Sequence, residues 1–141
     1  ADIGFPGIAF FGECSIKPKV FNADTLTTDW AGSFADIDEL PASDTDKITA
    51  AAVGDISGFT TSAISEDNVY AVKWMSRITR TGTDAGSNLT LRIVNGLDND
   101  SVVVPAPADG DKYWIFVTAP NSNPWSAGAY DATQFEYEAT T

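Results

Sequence analysis

A chain of 141 residues with 20 acidic and 8 basic side chains carries a net charge of −12, which repels phosphate backbones and anionic membrane surfaces. With no histidine and a single cysteine, Cys14, it has no intrachain disulfide, no Ser-His-Asp or Cys-His catalysis, and lacks the commonest zinc ligand. The length is that of one domain able to bury a core without a metal or disulfides, and no run approaches the ~18 apolar residues of a membrane helix.

Residues 3–11 are apolar and aromatic, with Ile3, Phe5, Ile8, Phe10 and Phe11 around Gly4, Pro6 and Gly7. Pro and Gly argue against a long regular element here. Residues 8–11 and 15–21 read as short strands, with Pro18 marking an edge or a bulge. So much apolar surface at the start of a chain needs burial, either in the core or on a neighbouring subunit. Residues 1–29 therefore read as an arm plus first edge strands, and residues 30–141 as the sandwich, within one domain. Ala1 is expected to follow a removed initiator Met, with no signal peptide ahead of it.

Residues 22–46 are rich in turn formers, with Trp30 as an anchor and 34–37 as a short strand. Residues 47–52 alternate Ile48, Ala50 and Ala52. Gly54 and Gly58 bracket a turn, after which Phe59, Thr61 and Ala63 alternate. Residues 69–80 hold neither Gly nor Pro. Their even positions, Tyr70, Val72, Trp74, Ser76 and Ile78, form an apolar face, and Lys73 and Arg77 lie on the other. A helix would put both cations on the apolar stripe, so the period of two predicts a central strand with Trp74 in the core.

Residues 81–88 read as a hairpin loop and 89–94 as the return strand, with Leu89, Leu91 and Ile93 inward. Val102 to Val104 pairs onward until Pro105 and Pro107. Residues 112–118 are apolar on both faces, which predicts burial on both, Ile115 included. One helical turn is expected within 125–132, and 134–139 close the chain with clean alternation. Short strands between Gly, Pro, Asn and Asp turns predict an all-β fold, a single antiparallel β-sandwich of jelly-roll type. The expected core is Tyr70, Val72, Trp74, Ile78, Leu91 and Ile115.

Signals for chemistry are sparse. Acidic pairs recur (Asp36/Asp38/Glu39, Asp44/Asp46, Asp98/Asp100, Asp109/Asp111), but the calcium-loop spacing is absent and Asp favours turns for local reasons. Paired carboxylates also serve glycoside hydrolysis, yet any acidic chain offers many such pairs. Trp30, Trp114, Trp125 and Tyr130 are candidates for stacking on sugars or for the core. Asn88-Leu89-Thr90 matches a glycosylation sequon. No phosphate-cradling loop, metal spacing or nucleophile elbow occurs, so no enzyme activity, cofactor or metal is expected.

One stretch has a family likeness. Phe34-Ala35-Asp36-Ile37-Asp38-Glu39-Leu40-Pro41-Ala42-Ser43-Asp44-Thr45-Asp46 resembles an aromatic-x-x-Val-Asp-Glu-x-Pro-x-x-Asp-x-Asp segment of small structural proteins of tailed bacteriophages. In that group a strand, a Gly-Asp turn, a second strand and a long strand ending in basic residues follow, then a Gly-rich hairpin. Residues 47–52, Gly54-Asp55, 58–63, 69–80 and 81–87 are similar in order. Pro120 to Trp125, 129–133 and 134–139 resemble its tail, so the likeness spans roughly residues 30–139. Residues 3–11 depart from it.

The resemblance implies a jelly-roll sandwich and a place in the virion. The expected role is a capsid decoration, or cement, protein on the outer surface of the head. It would be made in the host cytoplasm, bind the major capsid protein and self-associate, as a trimer or else a dimer. The alternative is a glycan- or receptor-binding module of a fibre or spike. The expected protein interface is Ile3, Phe5, Ile8, Phe10 and Phe11.

Overall fold

The computed structural model describes residues 15–43, 45–65, 68–79, 88–104 and 109–141. These form strands β1 (Phe21–Thr28), β2 (Ile56–Thr61), β3 (Val72–Ile78), β4 (Asn88–Asn95), β5 (Asp98–Val104), β6 (Gly110–Phe116) and β7 (Gln134–Thr140), with one short helix, α1 (Ala127–Asp131), before β7. The expected all-β antiparallel sandwich forms. Its larger sheet has the order β1-β2-β7-β4-β5, and its smaller sheet is β3-β6.

Alternation drives the assembly. Leu89, Leu91 and Ile93 of β4, Phe135 and Tyr137 of β7 and Phe59 of β2 turn inward and are buried. From the smaller sheet, Trp74 and Phe116 meet them. The Trp74 ring lies 5.3 Å from Phe135 and 5.0 Å from Tyr137, both edge-on, and 6.2 Å from Phe21. Edge-to-face pairs of this kind add to the stabilisation from burial alone. The two indole and phenol polar ends are also used: Trp74 Nε1 donates to Tyr137 Oη at 3.1 Å, and Ser76 Oγ and Tyr137 Oη share a hydrogen bond.

Local chemistry sets the connections. Gly96 and Leu97 join β4 to β5, with Gly96 at φ +63°, a first turn position that suits glycine in a two-residue hairpin. Ser126 caps α1, its side chain accepting from Ala129 N at 3.1 Å. Trp125 Nε1 donates to the Phe116 carbonyl at 2.8 Å and Tyr130 Oη bonds Thr61 Oγ1 at 2.8 Å, so the helical turn plugs one end of the sandwich between the two sheets.

Several expectations change. Residues 15–20 are not a strand, and β1 lies instead inside the turn-rich stretch, pairing with β2 and placing Phe21 against the core. Residues 34–36 form a 3₁₀ turn rather than a strand, because Asp36 folds back to accept the Ser33 N–H at 2.8 Å. Residues 47–52 are not a strand either; Ala31 and Thr49 make one isolated bridge. Gly58 sits within β2, where a Cβ would come 2.5 Å from Thr25 Oγ1, so close approach to β1 is its role rather than a turn.

The strand at 69–80 shortens to Val72–Ile78 among the described residues, and it is one of a pair in the smaller sheet, not a central strand. β4 is not its hairpin partner: it pairs with β5 and β7, while β3 pairs with β6. Most of the expected hairpin loop lies outside the described residues. The inward register of β3 does hold, with Trp74 buried, Val72 and Ile78 packed against the core, and Lys73 and Arg77 exposed. Leu91 is fully buried as expected.

Tyr70 is not core. Pairing starts at Val72 with Phe116, so Tyr70 precedes the ladder and is 54% exposed. Ile115 is not core either. It pairs opposite Lys73 on the outer side of β6, while the apolar residues Trp114 and Phe116 beside it turn inward.

Candidate interaction surface

Lys73 with Ile115, Met75 with Tyr113 and Arg77 with Asp111 are cross-strand pairs on the outer side of the β3-β6 sheet. Met75, Tyr113, Ile115 and the following Val117 are each 56–68% exposed. The sequence predicted burial for residues 112–118 because both faces are apolar. The inner face found the larger sheet; no layer covers the outer one among the described residues. Lys73 Nζ lies over the Tyr113 ring at 4.4 Å, and Arg77 Nε pairs with Asp111 Oδ1 at 2.9 Å, so charge frames the apolar row. Arg77 holds the Asp111 carboxyl below its ordinary value, by hydrogen bond first and charge second.

A groove of about 350 Å³ opens beside this face. One wall is β3, contributing Met75 and Arg77 from its outer side and Ser76 and Ile78 from its inner side, followed by Thr79. The other wall comes from residues 36–53, including Ile37 and Ile48. Phe21, Trp30, Leu89 and Tyr137 form the floor. Trp30 is held by its Nε1, which donates to the Asp55 carbonyl at 3.0 Å, and by its backbone N–H on Ser57 Oγ at 2.9 Å. Asp55 in turn accepts from Ala51 N and Ala52 N at 3.0 and 2.8 Å, shaping the wall. Asp36, Glu39 and Asp46 line the groove against Lys47 and the ion-paired Arg77. Burial raises the Tyr137 phenol, with its hydrogen bonds to Ser76 and Trp74 opposing, so its hydroxyl stays protonated beneath the groove.

The aromatic candidates separate. Trp125 and Tyr130 are buried in the core, Trp114 packs against it, and Trp30 alone of the four lines the groove. Burial, with Asp131 nearby, also raises the Tyr130 phenol against its bond to Thr61. Among the described residues, no three acidic or cysteine side chains converge to hold a metal ion. Several aspartates instead accept backbone N–H groups locally: Asp24 from Phe34 at 2.7 Å, Asp29 from Ile56 at 3.1 Å and Asp131 from Ile64 at 3.0 Å. In the sequon, Thr90 is buried and bonds Thr140 Oγ1 at 3.1 Å. Ile3, Phe5, Ile8, Phe10 and Phe11 lie outside the described residues. No helix among the described residues is long and apolar enough to cross a membrane.

No family model, curated protein or solved structure matches this chain. The open apolar face of β3-β6 was not foreseen, although its signal is in the sequence: Tyr113, Ile115 and Val117 alternate with Trp114 and Phe116.

Proposed function

We propose that this chain is a structural binding protein of a bacteriophage virion, a decoration protein on the outer surface of the head. It binds the major capsid protein and self-associates, with a trimer as the favoured assembly. The observation that carries the binding role is the exposed row Met75, Tyr113, Ile115 and Val117, on a sheet whose other face is already packed. Contiguous apolar surface framed by charge is what protein–protein sites use, and leaving it in water is unfavourable by roughly 25 cal/mol per Å². The phage assignment rests on the resemblance of residues 34–46 to the segment found in that group. The test is co-sedimentation of purified protein with empty heads. Wild-type protein pellets with heads, and Ile115→Asp reduces binding while keeping the far-UV circular dichroism. Protein that stays in the supernatant with every head preparation overturns the decoration role.

A further inference from the structure

The outer face of the β3-β6 sheet is apolar at its centre and charged towards its ends. Lys73 stands opposite Ile115, Met75 opposite Tyr113, and Arg77 opposite Asp111. Met75, Tyr113 and Ile115 are each more than half exposed, and so is Val117 beyond them. A matching cover brings apolar side chains to the centre and charges of both signs to the Arg77 end. A second copy of the same face does both, in one orientation.

Two sheets stack face to face about 10 Å apart, with strands within about 30° of each other. Like faces can meet about a two-fold axis in two such ways. When the axis crosses the strands, β3 lies over β3, and Lys73 of each copy falls over Arg77 of the other, like charge on like. When the axis runs parallel to the strands, β3 of each copy lies over β6 of the other. The cross-strand register then sets Arg77 over Asp111 of the second copy, and Asp111 over its Arg77. Each Arg77 keeps its own Asp111 at 2.9 Å, so four charges alternate in sign. Met75 meets Tyr113 of the other copy, a favourable sulfur–aromatic contact. Ile115 meets the aliphatic stem of Lys73, whose Nζ is drawn aside over its own Tyr113 ring, 4.4 Å from the centroid.

We infer that the free protein forms a two-fold dimer through this face, β3 and β6 of one copy stacked on β6 and β3 of the other. The dimer uses the face already assigned as the binding surface, and so rests on that reading. One row of side chains cannot meet a second copy and a capsid shell together. Docking on a head therefore takes the dimer apart, and the trimer belongs to the head-bound protein. Two strands make a small patch beside the roughly 800 Å² per partner of a standard interface, so the dimer is weak and reversible.

Sedimentation velocity of the full chain without heads tests this, in about 0.15 M salt to screen the repulsion between two chains of charge −12. Wild type should pass from monomer to dimer across the micromolar to millimolar range. Arg77→Asp leaves two carboxylates at one end of the face, and Asp111→Arg leaves two guanidinium groups. Each variant alone should dimerise at least about tenfold more weakly. Both positions are exposed, and circular dichroism should show each variant folded. Mixed in equal amounts, the two variants should dimerise with each other, because every carboxylate then meets a guanidinium across the interface. Both variants lack the internal pair, so recovery in the mixture can come only from contact between copies. Wild type that stays monomeric or assembles only as a trimer overturns the inference. So does a dimer that both variants retain, or a mixture no more associated than its components. Heads take no part, so failure here is distinct from failure to co-sediment with them.

Discussion

The two sheets turn opposite surfaces to solvent. On the outer side of the larger sheet, Arg92 sits between Glu136 at 3.3 Å and Glu138 at 2.5 Å, with Thr90 and Thr140 beside them. On the outer side of the smaller sheet the corresponding row is Met75, Tyr113, Ile115 and Val117. Both sheets are built by the same alternation, and both inner faces share one aromatic core. A polar outer face needs nothing more than water and its own ion pairs. An apolar one gains by being covered, which is why the proposed binding role is placed on the smaller sheet.

Four measurements break or sharpen this contrast. Trp74→Ala removes the ring both sheets share and leaves the Tyr137 hydroxyl without its indole donor. It should cost about 3–5 kcal/mol in urea unfolding, the range for a buried aromatic. A cost below about 1 kcal/mol would mean that the sheets hold together without it.

Arg92→Ala attacks the polar face. It strands Glu136 and Glu138, which are largely buried, although Arg92 Nε meets Glu136 at an ion-pair distance without a good hydrogen-bond geometry. Because the group is partly solvated, the expected loss is about 1–3 kcal/mol rather than the full penalty of a buried pair. Restoration by the triple variant Arg92→Met with Glu136→Gln and Glu138→Gln would tie the loss to the unpaired charges.

Alkali probes the core between the faces. The Tyr137 phenol is raised by burial above its ordinary 10.0, and Tyr130 shifts the same way. Below pH 10 neither the folded nor the unfolded form ionises them, so the stability is fully present. As pH rises past 10 the unfolded chain loses these protons first, and the urea midpoint should fall. Tyr137→Phe should flatten part of that fall, leaving the share of Tyr130. An unchanged slope would place the Tyr137 hydroxyl in contact with water.

The smallest effect on stability belongs to the apolar face. Ile115→Lys should change the unfolding free energy by no more than about 0.5 kcal/mol, since the side chain is exposed. The same variant should weaken self-association or head binding, measured by sedimentation at several concentrations. A large loss of stability instead would show that the face is covered within its own chain.

How far the residues alone reached differs from strand to strand. In β4 and β7 every second side chain is large and apolar, so Leu91, Ile93, Phe135 and Tyr137 declare which side faces inward. Trp74 does the same for β3, and Lys73 and Arg77 mark its outer side. α1 falls within 125–132, where one helical turn was expected, and the structure adds its Ser126 cap. β1 was not, because Asn22, Ala23, Asp24 and the threonines look like a loop and hold their strand only through β2. The groove was not legible either, since Trp30, Ile48, Ile78 and Tyr137 meet there from distant parts of the chain.

The sequence by itself determined the class of fold, the inward sides of β3, β4 and β7, and the absence of histidine and of a second cysteine. Those are local properties: a period of two, side-chain volume and residue identity. Only the tertiary structure decided that β7, last in the chain, lies between β2 and β4, and that β3 and β4 belong to different sheets. It also decided that Ile115 faces out while Trp114 and Phe116 face in. Alternation says that two faces exist, but whether a second layer covers each depends on contacts between residues far apart in the chain.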